Sequence, residues 1–416
     1  MKNFIKQLKN LTYYDWLVAF FPISLLLRSA ITNLYISILG IIFIFNYLRN
    51  KNLFKNIDFK WAKFFFLFYL YIVIRSFFSE NAILSIQSSF FQIRFILFSL
   101  FIYTCASNIK NFFTILKIYF IILTLVCFDG LLQFLIGKDI LGYTGMDNEM
   151  ALRLSGPFGD ELIIGSYLVF LSIPIISYLY FNFNKRYFFF KNLFIFFSSI
   201  IFLTVFLSGE RMNFIILFFG YLVFFFIGSN LKKFITATVS MLLLVLLIYF
   251  NHNSINKRFN EFGYDILNFK NSGHGRLFFS AYSLWENNKI FGVGLKNYRI
   301  ICNSTKLNEY TRQNENCSTH PHNFYAEILV ETGVVGLFLF SLFLFYFFKF
   351  ILLNLRKSQN KEYNSIIYGS LFIIFIYIWP IRSSGSFFST WNAVFFWFNI
   401  GLSLFFSRKI TNKASI

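Results

Sequence analysis

Two histidines stand two residues apart in the run Ser318-Thr319-His320-Pro321-His322-Asn323-Phe324-Tyr325-Ala326-Glu327, which continues to Glu331-Thr332-Gly333. Imidazole near neutral pH can take or give a proton, so His322 or His320 could serve as a general base on a hydroxyl nucleophile. Pro321 suits a first helical position, and the spacing predicts an apolar helix beginning there. Its free N–H groups and positive dipole end would favour an anion such as a diphosphate. A histidine that only caps a helix at a membrane interface would also fit the pattern. Glu327 and Glu331, four apart, share a helical face. They would either favour the helix start electrostatically or, for Glu327, orient His322 or Arg211.

Arginines give the second set of candidates. Arg211 follows Leu207-Ser208-Gly209-Glu210, a Ser-Gly reversal between two apolar runs. A guanidinium there could grip a phosphate through paired hydrogen bonds, or with Glu210 it could simply mark a helix end. Arg276 lies in Ser272-Gly273-His274-Gly275-Arg276, ahead of a short amphipathic stretch that ends in Phe291-Gly292-Val293-Gly294. That Gly-x-Gly follows no strand and lacks the rest of a dinucleotide fingerprint, which excludes a Rossmann reading. Arg153, in Arg-Leu-Ser-Gly-Pro-Phe-Gly, and Arg382 complete the group. Metal chemistry finds no His-Glu-x-x-His, Cys-x-x-Cys or Asp-x-Asp; Asp147/Glu149 and Asp160/Glu161 have no specific pattern, and no metal or cofactor is expected.

The elements that position these residues cross a membrane. The 416-residue chain is 57% hydrophobic and 13% charged, against about 25% charged in soluble domains. Apolar runs at about 14–28, 31–48, 61–78, 90–107, 113–136, 161–181, 188–207, 212–228, 234–250, 323–348, 364–381 and 387–406 predict an all-α polytopic membrane protein with about twelve transmembrane helices, a single integral membrane domain over 1–416. The net charge of +20 gathers in short loops such as Arg49/Lys51/Lys55/Lys60, Lys185/Arg186/Lys191 and Lys349/Arg356/Lys357/Lys361. It reads as topology, and no nucleic acid partner is expected. With the basic N-terminal stretch as an uncleaved first span, both termini are expected in the cytoplasm and 251–322 forms one large external loop. Arg153, Arg211, Arg276 and Arg382 then fall on the face of His320 and His322, where topology selects against cations, and a shared extracytoplasmic pocket is expected. Asp129, Arg75 and Arg94 lie in apolar runs and need partners inside the bundle. Cys302 and Cys317, both in the large loop, could pair if it faces an oxidising compartment.

Four stretches resemble the O-antigen ligase and O-antigen polymerase superfamily of bacterial inner membranes: Arg153–Gly159, Ser208–Met212, Gly275–Gly294 and, most specifically, His320–Gly336. The resemblance spans roughly residues 150–340, and the first third matches only as apolar spans. It implies a GT-C-like enzyme with one large periplasmic loop that moves a glycan from undecaprenyl diphosphate. Lipid A–core would accept the glycan in a ligase and another carrier-linked repeat in a polymerase. Transfer would invert the anomeric centre without a metal, in lipopolysaccharide biosynthesis at the periplasmic face. On that resemblance Arg211, Arg276 and His322 take the catalytic positions, with His320 competing because His-Pro-His can align either way. Arg153, Glu210, Glu327 and Arg382 would contact substrate. A glycan transporter would need two similar halves with broken helices, and no internal repeat is visible.

Overall fold

The computed structural model describes residues 2–51, 58–105, 109–148, 151–182, 187–228, 231–251, 253–303 and 317–413. Lys55, Glu149, Lys185 and Arg186 lie outside them. The architecture is that of an all-α membrane protein. Helices bearing on the site are, in chain order, α1 (Ala62–Ser76), α2 (Ile109–Ile136), α3 (Ile164–Phe181), α4 (Tyr187–Leu207), α5 (Arg211–Gly228), α6 (Asn253–Leu267), α7 (Gly273–Asn287) and α8 (Phe324–Arg356). Two three-residue strands, β1 (Met146–Asn148) and β2 (Ala151–Arg153), pair antiparallel.

Among the described residues, five helices are long and apolar enough to cross a membrane: Ser29–Arg49, Ala82–Thr104, Lys110–Ile136, Ile164–Phe181 and Phe324–Arg356. The other apolar runs also fold as helices, some of them broken. Run 14–28, for example, divides into Tyr13–Ala19 and Phe21–Leu26, with Pro22 opening the second piece. The large 251–322 segment is not a plain loop. It holds α6, α7 and the short helix Tyr298–Cys302.

The chain divides into two compact units built from discontinuous segments. The first comprises Met1–Thr32, Ala106–Tyr264 and Gln359–Ile373; the second comprises Asn33–Cys105, Asp265–Ser358 and Ile374–Ile416. In the first, buried Asp15 accepts from Asn111 Nδ2 at 2.7 Å, and Tyr119 and Tyr167 donate to the carbonyls of Val18 and Pro22. Asp129 is used locally, accepting from Ile140 N at 2.9 Å. In the second, Arg94 lies over the Phe95 ring at 4.6 Å and reaches Thr390 Oγ1.

The second unit also contains a break in α8. Gly333 sits at φ 66 and ψ −173, so the helix loses its regular ladder there. The orphaned groups are taken up by residues 289–294. Val293 N and Gly294 N donate to the carbonyls of Val330 and Glu331, both at 2.8 Å, while Val334 N donates to Lys289 O at 2.9 Å and Val335 N to Ile290 O at 3.2 Å. Gly292, at φ 68, passes so close that a Cβ would stand 2.5 Å from Gly333 N. Only glycine fits at either crossing. From α1, Tyr71 Oη donates to Thr332 O at 2.6 Å and Arg75 Nη2 to Gly292 O at 2.6 Å, which is the partner Arg75 required. The Gly-Val-Gly and Glu-Thr-Gly stretches are therefore the two sides of one joint, and unsatisfied backbone within an apolar span is avoided by pairing them.

Candidate functional site

The candidate residues fall into two clusters, one in each unit. In the first, Gln133 of α2 accepts from the backbone N–H of Ser155 and of Gly156, each at 2.9 Å. This staples the turn after β2 and sets Arg153 at the hairpin's end. The Ser208-Gly209 reversal, with Gly209 at φ 73, joins α4 to α5 and presents Glu210 and Arg211. Glu210 faces the start of α3, where its carboxylate accepts from Gly165 N, from Ser166 N at 3.2 Å and from Asn213 Nδ2 at 2.6 Å. Helix starts leave such N–H groups unpaired, so Glu210 closes a structural gap as well as carrying charge.

Burial nevertheless raises the Glu210 pKa to about 7, against the opposing effects of its hydrogen-bond donors and of Arg153. Arg211 pairs loosely with Glu261 at 3.6 Å and lies 5.7 Å from the Phe262 ring centroid. A third arginine, Arg258 of α6, donates to Gly209 O at 2.9 Å. Burial, then Arg153 and Arg211, pull its pKa down to about 10. Arg153 is also lowered, by burial first and then by Arg211 against Glu210, and its Nε is buried without a hydrogen bond. Three mutually repelling guanidinium groups therefore face two carboxylates. The cleft beneath Arg211 and Arg258 has about 10 Å³, room for about one water. An anion would have to sit outside it.

In the second unit the histidines form a cluster of three. Ring centroids lie 4.0 Å apart for His320–His322 and 5.5 Å apart for His274–His322. His322 adopts φ 56, a left-handed conformation uncommon for a side-chain-bearing residue. Its carbonyl accepts from Ser384 N at 2.8 Å, and Asn323 Nδ2 donates to Pro380 O at 2.7 Å, so the turn is stitched to residues 380–384. Ser383 Oγ lies 3.3 Å from His274 Nδ1.

Helix α8 begins at Phe324, not at Pro321. Asn323 is the N-cap, and its side-chain oxygen accepts from Tyr325 N at 3.0 Å and Ala326 N at 3.1 Å. Asparagine is a strong cap, and it holds His322 outside the helix. The amides expected to meet a diphosphate are thus already engaged.

His320 pairs through Nδ1 with Thr319 Oγ1 at 2.9 Å, while its Nε2 is buried without a partner. Burial, then His322, Lys296 and Arg299, push its pKa down to about 3. His322 is also lowered, by burial and then by His274. Both rings are therefore neutral at neutral pH. Nitrogen pushed to about 3 is a poor proton acceptor, so His322 is the better base of the two.

Glu327 contacts neither His322 nor an arginine by hydrogen bond. It accepts from Ser386 Oγ and from Phe387 N, the latter at 2.7 Å, and Ser386 also receives Lys296 Nζ at 2.8 Å. Its role is to hold the 380–387 loop that in turn holds the His322 carbonyl. Glu331, one helical turn on, is fully buried. Arg382 is 5% exposed, with its guanidinium 4.3 Å from the Tyr377 ring centroid. Arg276 lies two residues after His274 in the first turn of α7, its Nε buried without a hydrogen bond.

A disulfide joins Cys302 to Cys317, with Cα atoms 5.7 Å apart. It ties the segment leading into Thr319-His320 to a small core of Ala281, Leu284, Val293, Tyr298, Ala326 and Val330. Among the described residues no group of three or more His, Cys, Asp or Glu side chains is placed to hold a metal ion.

Sequence reasoning missed His274, Arg258, Lys296 and the serines at 383, 384 and 386. A polar Ser-Ser-Gly-Ser run between two apolar spans was the available signal for the last three.

No curated protein matched the chain. A family model described as O-antigen ligase matches residues 194–341, from within α4 to the middle of α8. That stretch contains Glu210, Arg211, Arg258, His274, Arg276, His320, His322 and Glu327, and leaves Arg153 and Arg382 outside it. Over this stretch the chain is similar to the O-antigen ligase family, which supports a place in the O-antigen ligase and polymerase superfamily.

Proposed function

We propose that the protein is an O-antigen ligase-like glycosyltransferase that moves a glycan from undecaprenyl diphosphate to lipid A–core at the periplasmic face of the inner membrane. The observation that carries the reading is the histidine turn at the start of α8, within the matched stretch: a neutral His322 in a left-handed conformation, followed by the capping Asn323 and held through its carbonyl by Ser384 N. A neutral imidazole is the form that can accept a hydroxyl proton. The acceptor hydroxyl attacks the anomeric carbon and loses its proton to His322. A new C–O bond forms as the bond to the diphosphate breaks, and its electrons leave with the carrier. Attack from the opposite face inverts the anomeric centre. Arg276 or Arg211 stabilises phosphate charge, and protein cations supply the stabilisation that a metal would otherwise give. Arg153 and Arg258 support Arg211, and Arg382 supports the histidine turn. About twelve spans in a GT-C-like arrangement, with both termini cytoplasmic, is the topology this reading requires.

The test feeds carrier-linked glycan to the purified protein with and without lipid A–core. Transfer that needs the core supports a ligase. A ladder of longer carrier-linked glycan without core would make the protein a polymerase, the second reading, which shares these motifs. Full transfer by both His322→Ala and Arg211→Ala would sink either one.

A further inference from the structure

The joint at the α8 break borders a cavity of about 860 Å³, lined by the end of α1 and by residues 286–292. None of the residues argued above for glycan transfer lines it. Two kinds of surface meet there. Ile74, Phe78, Ile290 and Phe291 are 59%, 76%, 60% and 56% exposed. Large apolar side chains left so exposed beside the end of an apolar helix are suited to contact hydrocarbon. Arg75 and Lys289 stand beside them against the single carboxylate of Glu286, leaving one positive charge in excess. Arg75 spends Nε and Nη2 on the carbonyls of Phe291 and Gly292, but its Nη1 is buried with no hydrogen-bond partner. An unused guanidinium N–H costs free energy that an anionic oxygen would recover. The volume far exceeds what a free anion needs, and the apolar wall would be idle around one.

We infer that this cavity binds an anionic phospholipid, its phosphate held by Arg75 Nη1 and Lys289 Nζ and an acyl chain laid along Ile74, Phe78, Ile290 and Phe291. The site is separate from the glycan-transfer reading and stands or falls without it. Since Arg75 also clamps Gly292, the bound lipid sits against the joint that closes the break in α8.

The test is a binding titration on delipidated full-length protein in neutral detergent, read by native mass spectrometry. Phosphatidylglycerol and phosphatidylcholine with the same chains are compared, with inorganic phosphate and a polyprenyl diphosphate as competitors. One phosphatidylglycerol should bind with about a tenfold preference over phosphatidylcholine. Lys289→Glu should erase that preference, and Phe78→Gln should weaken both lipids. Both positions are exposed, so neither change threatens folding. Equal binding of the two lipids, or indifference to Lys289→Glu, would overturn the proposal. Displacement by inorganic phosphate would make the cavity a free-anion site, and displacement by polyprenyl diphosphate would assign it to the carrier; each also overturns it.

Discussion

The arginine cluster of the first unit and the histidine cluster of the second solve opposite problems. Arg153, Arg211 and Arg258 keep their charges close together at a surface, held by a carbonyl, a helix-capping carboxylate and a loose pair with Glu261. Their strength is electrostatic and falls with salt and distance. His320 and His322 are uncharged, and the arrangement of these two rings with His274 depends on backbone: a left-handed residue, a capped helix start, a stitched loop and a disulfide. One cluster tolerates small displacements and the other does not. A cation can attract phosphate from several positions, whereas proton transfer needs one distance and one direction.

The largest expected effect therefore belongs to the histidines. Replacing His322 with Ala should cut transfer by about 10²–10⁴-fold, the usual worth of a general base. His320→Ala should cost much less, because a ring held near 3 takes up few protons in its own right. Rate measurements on both variants decide between them, and an equal loss would remove the distinction. The acid limb of the wild-type rate should fall below pH 6.5, since burial and His274 lower the His322 pKa from that value. A limb above 6.5 would contradict a neutral, desolvated base.

Next comes the disulfide. Closing a loop of 15 residues stabilises by about 3 kcal/mol in the chain-entropy account. The Cys302→Ser/Cys317→Ser double variant should unfold at a clearly lower temperature in detergent and lose transfer in parallel, because the bridge anchors the segment entering His320. The corresponding geometry in the first unit has no such staple, so reductant should leave anion binding at the arginines unchanged. Loss of both on reduction would mean that the two clusters fail together.

How far all this could be read beforehand follows the same division. Glu210, Arg211, His320, His322, Glu327 and Arg382 are visible as polar residues at or near the ends of apolar runs, and Arg153 and Arg276 as cations in the segments between them, a local signal. Arg258 was not, because it reaches Gly209 from a different helix, 49 residues away in sequence. His274 was passed over for the same reason: its neighbours Ser383 and His322 come from distant segments. The start of α8 was misplaced by reading Pro321 as the first helical residue, although Asn323 carried the stronger cap signal. Gly333 was noticed as part of a motif but not as a break. A glycine at φ 66 is legible as a joint only once residues 289–294 are seen to supply its missing hydrogen bonds.

A smaller effect should come from Arg211. Its exposed pair with Glu261 is worth little, so Arg211→Lys should leave stability unchanged. The flat bidentate grip on phosphate would be lost, and transfer should fall on the order of tenfold. The residual rate should drop further as salt rises, through screening of a point charge. A variant with wild-type rate and salt response would show that Arg211 serves the turn and not the substrate.

The smallest effect is the pH response of Glu210, and its sign is fixed by the shift. The folded carboxyl titrates at about 7 against an ordinary value of 4.5, so the folded state binds the extra proton through that window. Stability therefore falls as pH rises from 4.5 to about 7 and flattens above it. Protonation also removes a negative charge from beside Arg153, so anion binding by the arginine cluster should strengthen on acidification over the same range. Thermal unfolding and phosphate-analogue binding, followed from pH 4.5 to 8, should lose this dependence in Glu210→Gln, whose amide oxygen can still accept from the start of α3. His320 and His322 gain positive charge only at lower pH, and the base is lost as they do. Parallel pH curves for wild type and Glu210→Gln would place the titrating group elsewhere and leave Glu210 as a plain helix anchor.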